Sequence, residues 1–180
     1  KDNMQKNIPL KLLIATFSLT LLFTPAQADR SGVSAFVPDN QLVGEGRFKY
    51  LLWNIFDAKL YAPQGRWNPQ DPYALSLNYL RNFSGAEIAD RSIDEMEKGG
   101  ANSVKLAQWR SKMEAIFPNV SPRTTITGIR DVKGRTVFLK NGRKIGIIDD
   151  SEFTDRFFAI WLGANSSNQK LRRQLIGMAN

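Results

Sequence analysis

Two chemically useful residue types are missing from this sequence of 180 residues, which contains no cysteine and no histidine. Their absence excludes a Ser-His-Asp triad, a cysteine nucleophile, a histidine general base and the His/Cys sites that hold zinc or copper. Without cysteine no disulfide can form, so a packed core must hold the fold together. The residue types that could still act in catalysis or binding are Asp, Glu, Lys, Arg, Tyr, Ser and Thr. We expect no cofactor.

Acidic residues are also relatively few. The chain has 25 Lys and Arg against 17 Asp and Glu, a formal net charge of +8. Moderate basicity favours anionic ligands or membrane surfaces and says nothing about the fold. No aromatic-rich nucleic-acid motif accompanies the charge, so we do not expect nucleic acid as a partner.

The N-terminal segment has the pattern of a secretory signal peptide. A basic start leads into an apolar run over 12–23, and Ala-Gln-Ala at 26–28 forms an A-x-A cleavage site. We therefore expect translation to start at Met4, cleavage after Ala28, and a periplasmic or secreted mature protein with no transmembrane span. The alternative is a retained membrane anchor, although the apolar run is short for a bilayer. No cysteine follows the run, so lipid attachment there is excluded.

After this leader of 1–28, residues 29–41 are small and polar and predict a flexible lead-in. The remainder, 42–180, has the length of one domain. Hydrophobic periodicity predicts three strands, two helices, three strands and two helices, in that order. The predicted ranges are 42–51, 53–62 and 73–81 for strands, 84–98 and 103–116 for helices, 124–132, 135–140 and 143–148 for strands, and 151–163 and 168–177 for helices. Runs of strands followed by pairs of helices indicate an α+β fold, an antiparallel sheet with helices on one face.

Local signals support these boundaries. Ser84 and Glu87 form a capping box at the start of the first helix. Asn141-Gly142 between two alternating runs predicts a type I′ hairpin. Asp149, Asp150 or Ser151 is expected to cap the third helix.

The acid–base pair Asp57 and Lys59 falls on one face of the second strand, together with Tyr61. Two interpretations are open: a reactive pair activated by burial, or a solvated ion pair on the outer face of a strand. The ion pair is the favoured interpretation, because such pairs are common on strands. Arg47 follows Gly44 and Gly46 in the first strand, and glycines in a strand let another group approach the backbone. It either holds a ligand carboxylate or makes a structural ion pair, and the pattern alone favours the ion pair.

A basic cluster comprises Arg130, Lys133, Arg135, Lys140, Arg143 and Lys144. It either docks the protein to anionic lipid or another acidic surface, or protects an exposed hairpin against edge pairing. The protective role is favoured.

Two segments carry a family resemblance. Gly46-Arg47-Phe48, followed by Phe-Asp-Ala-Lys-Leu-Tyr at 56–61, resembles the start of the chalcone isomerase fold. The segments 151–153, 157–163 and 171–177 resemble the C-terminal signature of exported bacterial chalcone-isomerase-like proteins. The likeness covers residues 43–177. It implies an open-faced β-sandwich, in which a large antiparallel sheet carries a layer of helices and a cleft lies between them.

The resemblance also implies site residues. In enzymes of this family a strand arginine stabilises negative charge in the cleft, and in fatty-acid binders the corresponding arginine, with a tyrosine, holds the carboxylate. Arg47 matches that arginine by its Gly-Arg context, and Tyr61 matches the tyrosine of the aliphatic-Tyr pair that ends the second strand. Both are the expected ligand-binding residues. The expected function is a non-enzymatic exported protein that binds a fatty acid or other small apolar anion.

Two alternatives remain open. One is an isomerase or lyase in which Arg47 stabilises an oxyanion and Tyr61 or Lys59 donates a proton. The other is an envelope protein-interaction module that uses the basic cluster, with an unknown protein partner.

Overall fold

The structure, a computed structural model, describes residues 32–178 of the chain. The predicted leader 1–28, with its start at Met4 and its cleavage after Ala28, lies outside the described residues. No helix within the described range is long and apolar enough to cross a membrane.

Six antiparallel strands form one sheet in which each strand pairs with the next along the chain. The strands are β1 (Asn40–Tyr50), β2 (Trp53–Pro63), β3 (Tyr73–Tyr79), β4 (Thr125–Arg130), β5 (Thr136–Lys140) and β6 (Arg143–Ile148). The predicted Asn141-Gly142 hairpin joins β5 to β6, and both residues have positive φ, 48° and 79°, as a type I′ turn requires.

Two helical pairs cover one face of this sheet. The helices are α1 (Gly85–Lys98), α2 (Ser103–Ile116), α3 (Ser151–Leu162) and α4 (Gln169–Leu175). The predicted capping box is present, since Ser84 and Glu87 each accept a hydrogen bond from the other's backbone N–H. Asp150 is the residue that caps α3. The α+β prediction, with helices on one face of an antiparallel sheet, is therefore confirmed.

The main core lies between the sheet and the helices. Alternation along β2 sends Phe56, Ala58 and Leu60 to the helix side, where they join Trp109 of α2 and Phe153 of α3. These side chains form a continuous cluster with several edge-to-face aromatic contacts, including Trp109 against Phe153. Burial of these apolar side chains therefore determines which face of the sheet packs against the helices.

The opposite face of the sheet carries a second, smaller core. Val33 and Val37 are buried there against Tyr61, Ile129 and Val137, which occupy outward positions of their strands. Residues 32–34 form a helical turn, and Val37 donates a backbone hydrogen bond to the Val33 carbonyl at 2.9 Å. The flexible lead-in predicted over 29–41 is thus corrected for this part of the segment, because two spaced valines anchor it to the sheet.

Glycine brings α4 close to β1. A Cβ on Gly44 would overlap the backbone carbonyls of Gln174 and Leu175, and one on Gly46 would overlap the Gln174 and Leu171 side chains. The close approach predicted at these glycines is present, and the group that approaches is the chain's own last helix.

The basic cluster does not form one surface. Arg130, Lys133 and Arg135 lie at the β4–β5 turn, whereas Lys140 and Arg143 lie at the β5–β6 turn, at the other end of the strands. Arg130 is buried and pairs with Asp155 at 2.9 Å, and Arg135 pairs with Asp131 at 2.7 Å. The single crowded hairpin surface predicted from the sequence is therefore wrong, because antiparallel pairing separates the two halves of the cluster.

Candidate functional site

A cavity of about 320 Å³ lies between the sheet and helices α1 and α3. Aliphatic and aromatic side chains from β1 to β5 form its floor, and side chains from the helices form its walls. The apolar lining comprises Phe48, Ile55, Phe56, Leu75, Leu77, Tyr79, Phe83, Ile88, Phe117, Ile126, Phe138, Phe157, Ile160, Trp161 and Leu171. Gly128 adds a bare stretch of β4 backbone beneath Phe157 and Phe158. Such a lining suits an apolar ligand.

A polar rim borders this cavity along α1. Glu87, Arg91 and Glu95 follow one another at intervals of four residues, so they share one side of the helix and all contribute to the lining. Ser167 and Asn168, just before α4, face them. Arg91 is the cation of this rim. Its guanidinium lies 2.7 Å from Glu95, and its side chain is 57% exposed.

Glu95 is the most constrained residue of the rim. Its side chain is only 8% exposed, and it accepts hydrogen bonds from Lys98 Nζ at 3.0 Å and from Ser167 Oγ at 2.7 Å, besides the contact with Arg91. Burial by itself raises the pKa of Glu95, but the bonds from Ser167 and Lys98 and the nearby charges of Arg91 and Lys98 outweigh it. The net effect lowers the pKa. Glu95 is therefore an ionised anchor for the rim and unsuited to act as a general acid.

Tyr79 is the buried polar group of the cavity floor. It is 5% exposed, and burial raises the pKa of its phenol well above the ordinary value, so the group stays neutral. Its ring packs edge-on against Phe56 and Phe83. A neutral tyrosine hydroxyl can donate a hydrogen bond, and Tyr79 lines the cavity that would receive a ligand.

Arg47 and Tyr61, the residues predicted to bind the ligand, are not among those that line this cavity. Arg47 lies on the outer face of the sheet, where its Nε and Nη2 donate to the two Asp57 carboxylate oxygens at 2.5 Å and 2.9 Å. Tyr61 is buried in the second core under Val33 and Val37. Their predicted place in the cleft is corrected: alternation turns both side chains away from the helices.

Asp57 and Lys59, the acid–base pair of β2, each form an exposed ion pair with a residue of β1. Asp57 pairs with Arg47, and Lys59 pairs with Glu45 at 3.2 Å, each directly across β1 and β2. All four side chains are substantially exposed. The ion-pair interpretation of Asp57 and Lys59 agrees with this arrangement.

Sequence reasoning missed Arg91 and Tyr79. The spacing of Glu87, Arg91 and Glu95 was a visible signal, but it has the same appearance as a solvated helix face. Tyr79 belonged to the alternating run of β3 and was indistinguishable from other core positions. Only the meeting of α1 with the strand ends makes the two residues neighbours of one cavity.

No group of three or more acids able to hold a metal ion occurs among the described residues. The fold and the cavity together define an α+β protein with an apolar cavity between an open sheet and its helices. The chain belongs to the chalcone isomerase-like family, whose model matches residues 41–177.

The chain is also similar to a bacterial protein in sequence and to a plant protein in structure. An uncharacterized protein from Haemophilus influenzae is 28% identical over 138 residues, which cover 76% of this chain and 68% of the relative. The crystal structure of a fatty-acid binding protein from Arabidopsis thaliana superposes with a TM-score of 0.60 at 13% identity, over 78% of this chain and 88% of the other. At that identity the likeness shows the fold alone.

Proposed function

We propose that this protein is a non-enzymatic, exported binder of a fatty acid or a related small apolar anion. The observation that carries the proposal is the apolar cavity between sheet and helices, which has a single charged rim. The Arabidopsis protein of similar fold is described as fatty-acid binding, which agrees with this chemistry. The predicted leader over 1–28 supports export.

The cavity volume limits the ligand. At about 320 Å³ the cavity lies at the lower end of ligand pockets, which span about 300–1,000 Å³. It favours a short or medium acyl chain, or part of a longer chain whose polar head remains outside. Burial of each methylene contributes roughly 0.8 kcal/mol, so affinity is expected to rise with chain length until the cavity is full.

Arg91 is the proposed partner of the ligand carboxylate. A guanidinium binds a carboxylate through two parallel hydrogen bonds. Arg91 can turn from Glu95 to a ligand, because Glu95 keeps Lys98 and Ser167 as partners. Glu87 and Glu95 repel a free anion, so the cation and the apolar cavity must together outweigh them. This arrangement favours ligands with a long apolar part over small anions.

The isomerase or lyase alternative depended on Arg47 with Tyr61 or Lys59 in a cleft. Since Arg47 is held by Asp57 on the outer face and Tyr61 is buried in the second core, this alternative has no support from the cavity. The interaction-module alternative depended on one basic hairpin, and antiparallel pairing divides that cluster between two ends of the sheet.

A titration with fatty acids of increasing chain length tests the proposal, with the matching fatty alcohols as uncharged comparators. Arg91→Met should weaken acid binding by roughly tenfold or more and leave alcohol binding nearly unchanged, as expected for loss of a charge-assisted contact. Arg110→Met is the matched control, since Arg110 is an exposed arginine that pairs with Asp90 and Glu114 and does not line the cavity.

Ile88→Trp, which fills the cavity from α1, should abolish binding of both acids and alcohols. Binding that survives Ile88→Trp unchanged would locate the ligand elsewhere and reject the proposal. Export is tested separately: N-terminal sequencing of the mature protein from a bacterial host should begin at Asp29.

A further inference from the structure

The turn between β1 and β2 exposes four consecutive large apolar side chains. Leu52 is 96% exposed, Leu51 80%, Tyr50 58% and Trp53 54%. Tyr50 and Trp53 are the last paired residues of the hairpin, so Leu51 and Leu52 form its two-residue loop. We call residues 50–53 the hairpin tip. A run of this length on the surface is unusual unless it has a function.

Folding of the hairpin does not require these residues. Two-residue loops favour Asn and Gly, and the β5–β6 turn of this chain uses that pair. At the β1–β2 tip, Leu51 instead adopts a left-handed φ of 52°, a conformation that is unfavourable for a leucine. An exposed leucine that also strains the backbone is therefore unfavourable for the isolated fold, and its benefit must come from another contact.

Cations lie beside the tip and along the same end of the sheet. Lys49 is exposed beside Tyr50, and the Arg81 guanidinium stacks on the Trp53 ring at 3.8 Å from its centroid. The strand pairing places further bases at the same end of the sheet: Arg123, whose N–H binds the Tyr79 carbonyl, and Lys140 and Arg143 at the β5–β6 turn. Within the described range, Lys49, Arg123, Lys140 and Arg143 form no ion pair with a protein acid.

The exposed apolar tip and the nearby cations could contact either another protein or a membrane, and the two partners make different demands. A stable protein interface needs about 800 Å² from each side, more than four side chains on a projecting turn supply. An anionic bilayer suits the arrangement better. Leucines enter the acyl region, Trp and Tyr prefer the headgroup level, and nearby Lys and Arg are attracted to acidic headgroups.

We infer that the hairpin tip, with the basic residues at its end of the sheet, inserts into the surface of an anionic phospholipid bilayer. The tip lies near the cavity, since Phe48 and Ile55, two positions from Tyr50 and Trp53, contribute to the cavity lining. Docking therefore places the cavity beside the membrane. The inference does not depend on what the cavity binds.

Tryptophan fluorescence gives a readout specific to the tip. The four tryptophans all follow residue 52, so the N-terminal segment contributes no signal. The full chain is mixed with vesicles of phosphatidylglycerol and phosphatidylethanolamine that carry brominated acyl chains. Emission from Trp53 should be quenched, and the quenching should be absent in Trp53→Phe. It should weaken with phosphatidylcholine vesicles or at high salt, because salt screens the headgroup attraction.

The double variant Leu51→Ser/Leu52→Ser should weaken this insertion by about tenfold or more, since two exposed leucines no longer enter the acyl region. Val104→Ser is the matched control: Val104 is 66% exposed on α2, away from the tip, and its loss should leave quenching unchanged.

Three outcomes would overturn the inference. The first is vesicle-bound protein whose Trp53 is not quenched. The second is equal quenching in the double variant and in the Val104 control. The third is a dimer in solution that depends on Leu51 and Leu52. Fatty-acid binding is measured without vesicles, so its success or failure is independent of this result.

Discussion

At the scale of single residues, Asp150 connects two helices through one carboxylate. Its Oδ1 caps α3 by accepting from Phe153 N at 3.1 Å, and its Oδ2 accepts from Trp109 Nε1 of α2 at 3.0 Å. Trp109 is fully buried, so its indole N–H has no water to replace this partner. One side chain thus satisfies an orphan backbone donor and a buried side-chain donor.

Replacing Asp150 should therefore be costly. Asp150→Ala is expected to lower the free energy of unfolding by about 2–4 kcal/mol, the sum of a lost cap and an unsatisfied buried donor. Urea unfolding followed by Trp fluorescence measures it. Asp149→Ala is the control, because Asp149 is the exposed neighbour and should change stability by about 0.5 kcal/mol or less. Equal losses in the two variants would contradict the assignment.

The pKa of Asp131 allows a prediction of how the free energy of unfolding depends on pH. Burial by itself raises the pKa of Asp131, but hydrogen bonds from the Arg135 side chain and from the Arg135 and Lys133 backbone lower it overall from 3.8. A lowered pKa in the folded state means that the ionised carboxylate stabilises the fold above pH 3.8. This stabilisation is lost as the pH falls further, through the folded-state value. Glu95 and Asp150 act in the same direction.

The free energy of unfolding should consequently decline below about pH 4.5, where the same carboxyl groups begin to bind protons in the unfolded chain while they stay ionised in the folded protein. Asp131→Asn should be less stable than the wild type at neutral pH, and the gap should narrow as the pH approaches 3. Denaturant titrations at a series of pH values give this difference. A constant gap over the whole range would show that Asp131 does not contribute through its charge.

At the scale of secondary-structure elements, the contact of α4 with β1 depends on glycine. Gly44 faces helix backbone, which cannot move without displacing α4, whereas Gly46 faces the flexible end of the Gln174 side chain and one Leu171 methyl group. The two positions are two residues apart on the same strand face. They therefore allow a graded comparison of the same substitution.

Gly44→Ala should destabilise the protein by about 1–3 kcal/mol, as expected for overpacking against a rigid neighbour. Gly46→Ala should cost less than about 1 kcal/mol, since a side chain can rotate away. Hydrogen exchange of the α4 amides provides a second measurement: Gly44→Ala should lower their protection, and Gly46→Ala should retain it. The reverse order of the two variants would contradict the packing described for α4.

At the scale of the whole molecule, the two faces of the sheet have different roles. The helix face encloses the cavity, and the outer face carries the Arg47–Asp57 and Lys59–Glu45 ion pairs together with the packed residues 32–37. A ligand in the cavity contacts the strands and helices at once. Ligand binding should therefore stabilise the whole fold and not one element alone.

A bound fatty acid at about 100 times its dissociation constant should add about 2.7 kcal/mol to the free energy of unfolding. For a domain of this size that corresponds to a rise in Tm of roughly 5–10 °C. Thermal unfolding with and without ligand measures it. Ile88→Trp, with its cavity filled, is the control and should show no shift, while an equal shift in that variant would argue for binding outside the cavity.

Local signals were sufficient for much of the fold. The order of strands and helices, the Ser84 capping box, the Asn141-Gly142 hairpin and the α+β class all follow from interactions between residues near in sequence, and the structure confirms them. Hydrophobic periodicity specifies which face of each element is buried, because the side-chain period of a helix or strand is a property of its backbone.

Which face of the sheet the helices would cover was decided only by the tertiary structure. The alternation of β2 was predicted correctly, but Tyr61 was expected to bind ligand in the cleft. It lies instead in the second core, under the segment that was predicted to be flexible. The site at Arg91 and Tyr79 forms where α1 packs near the C-terminal end of β3. One residue is a charged helix residue and the other a buried strand residue, and no local sequence pattern connects them. A cavity is a property of the space between elements, and no single segment of the sequence encodes it.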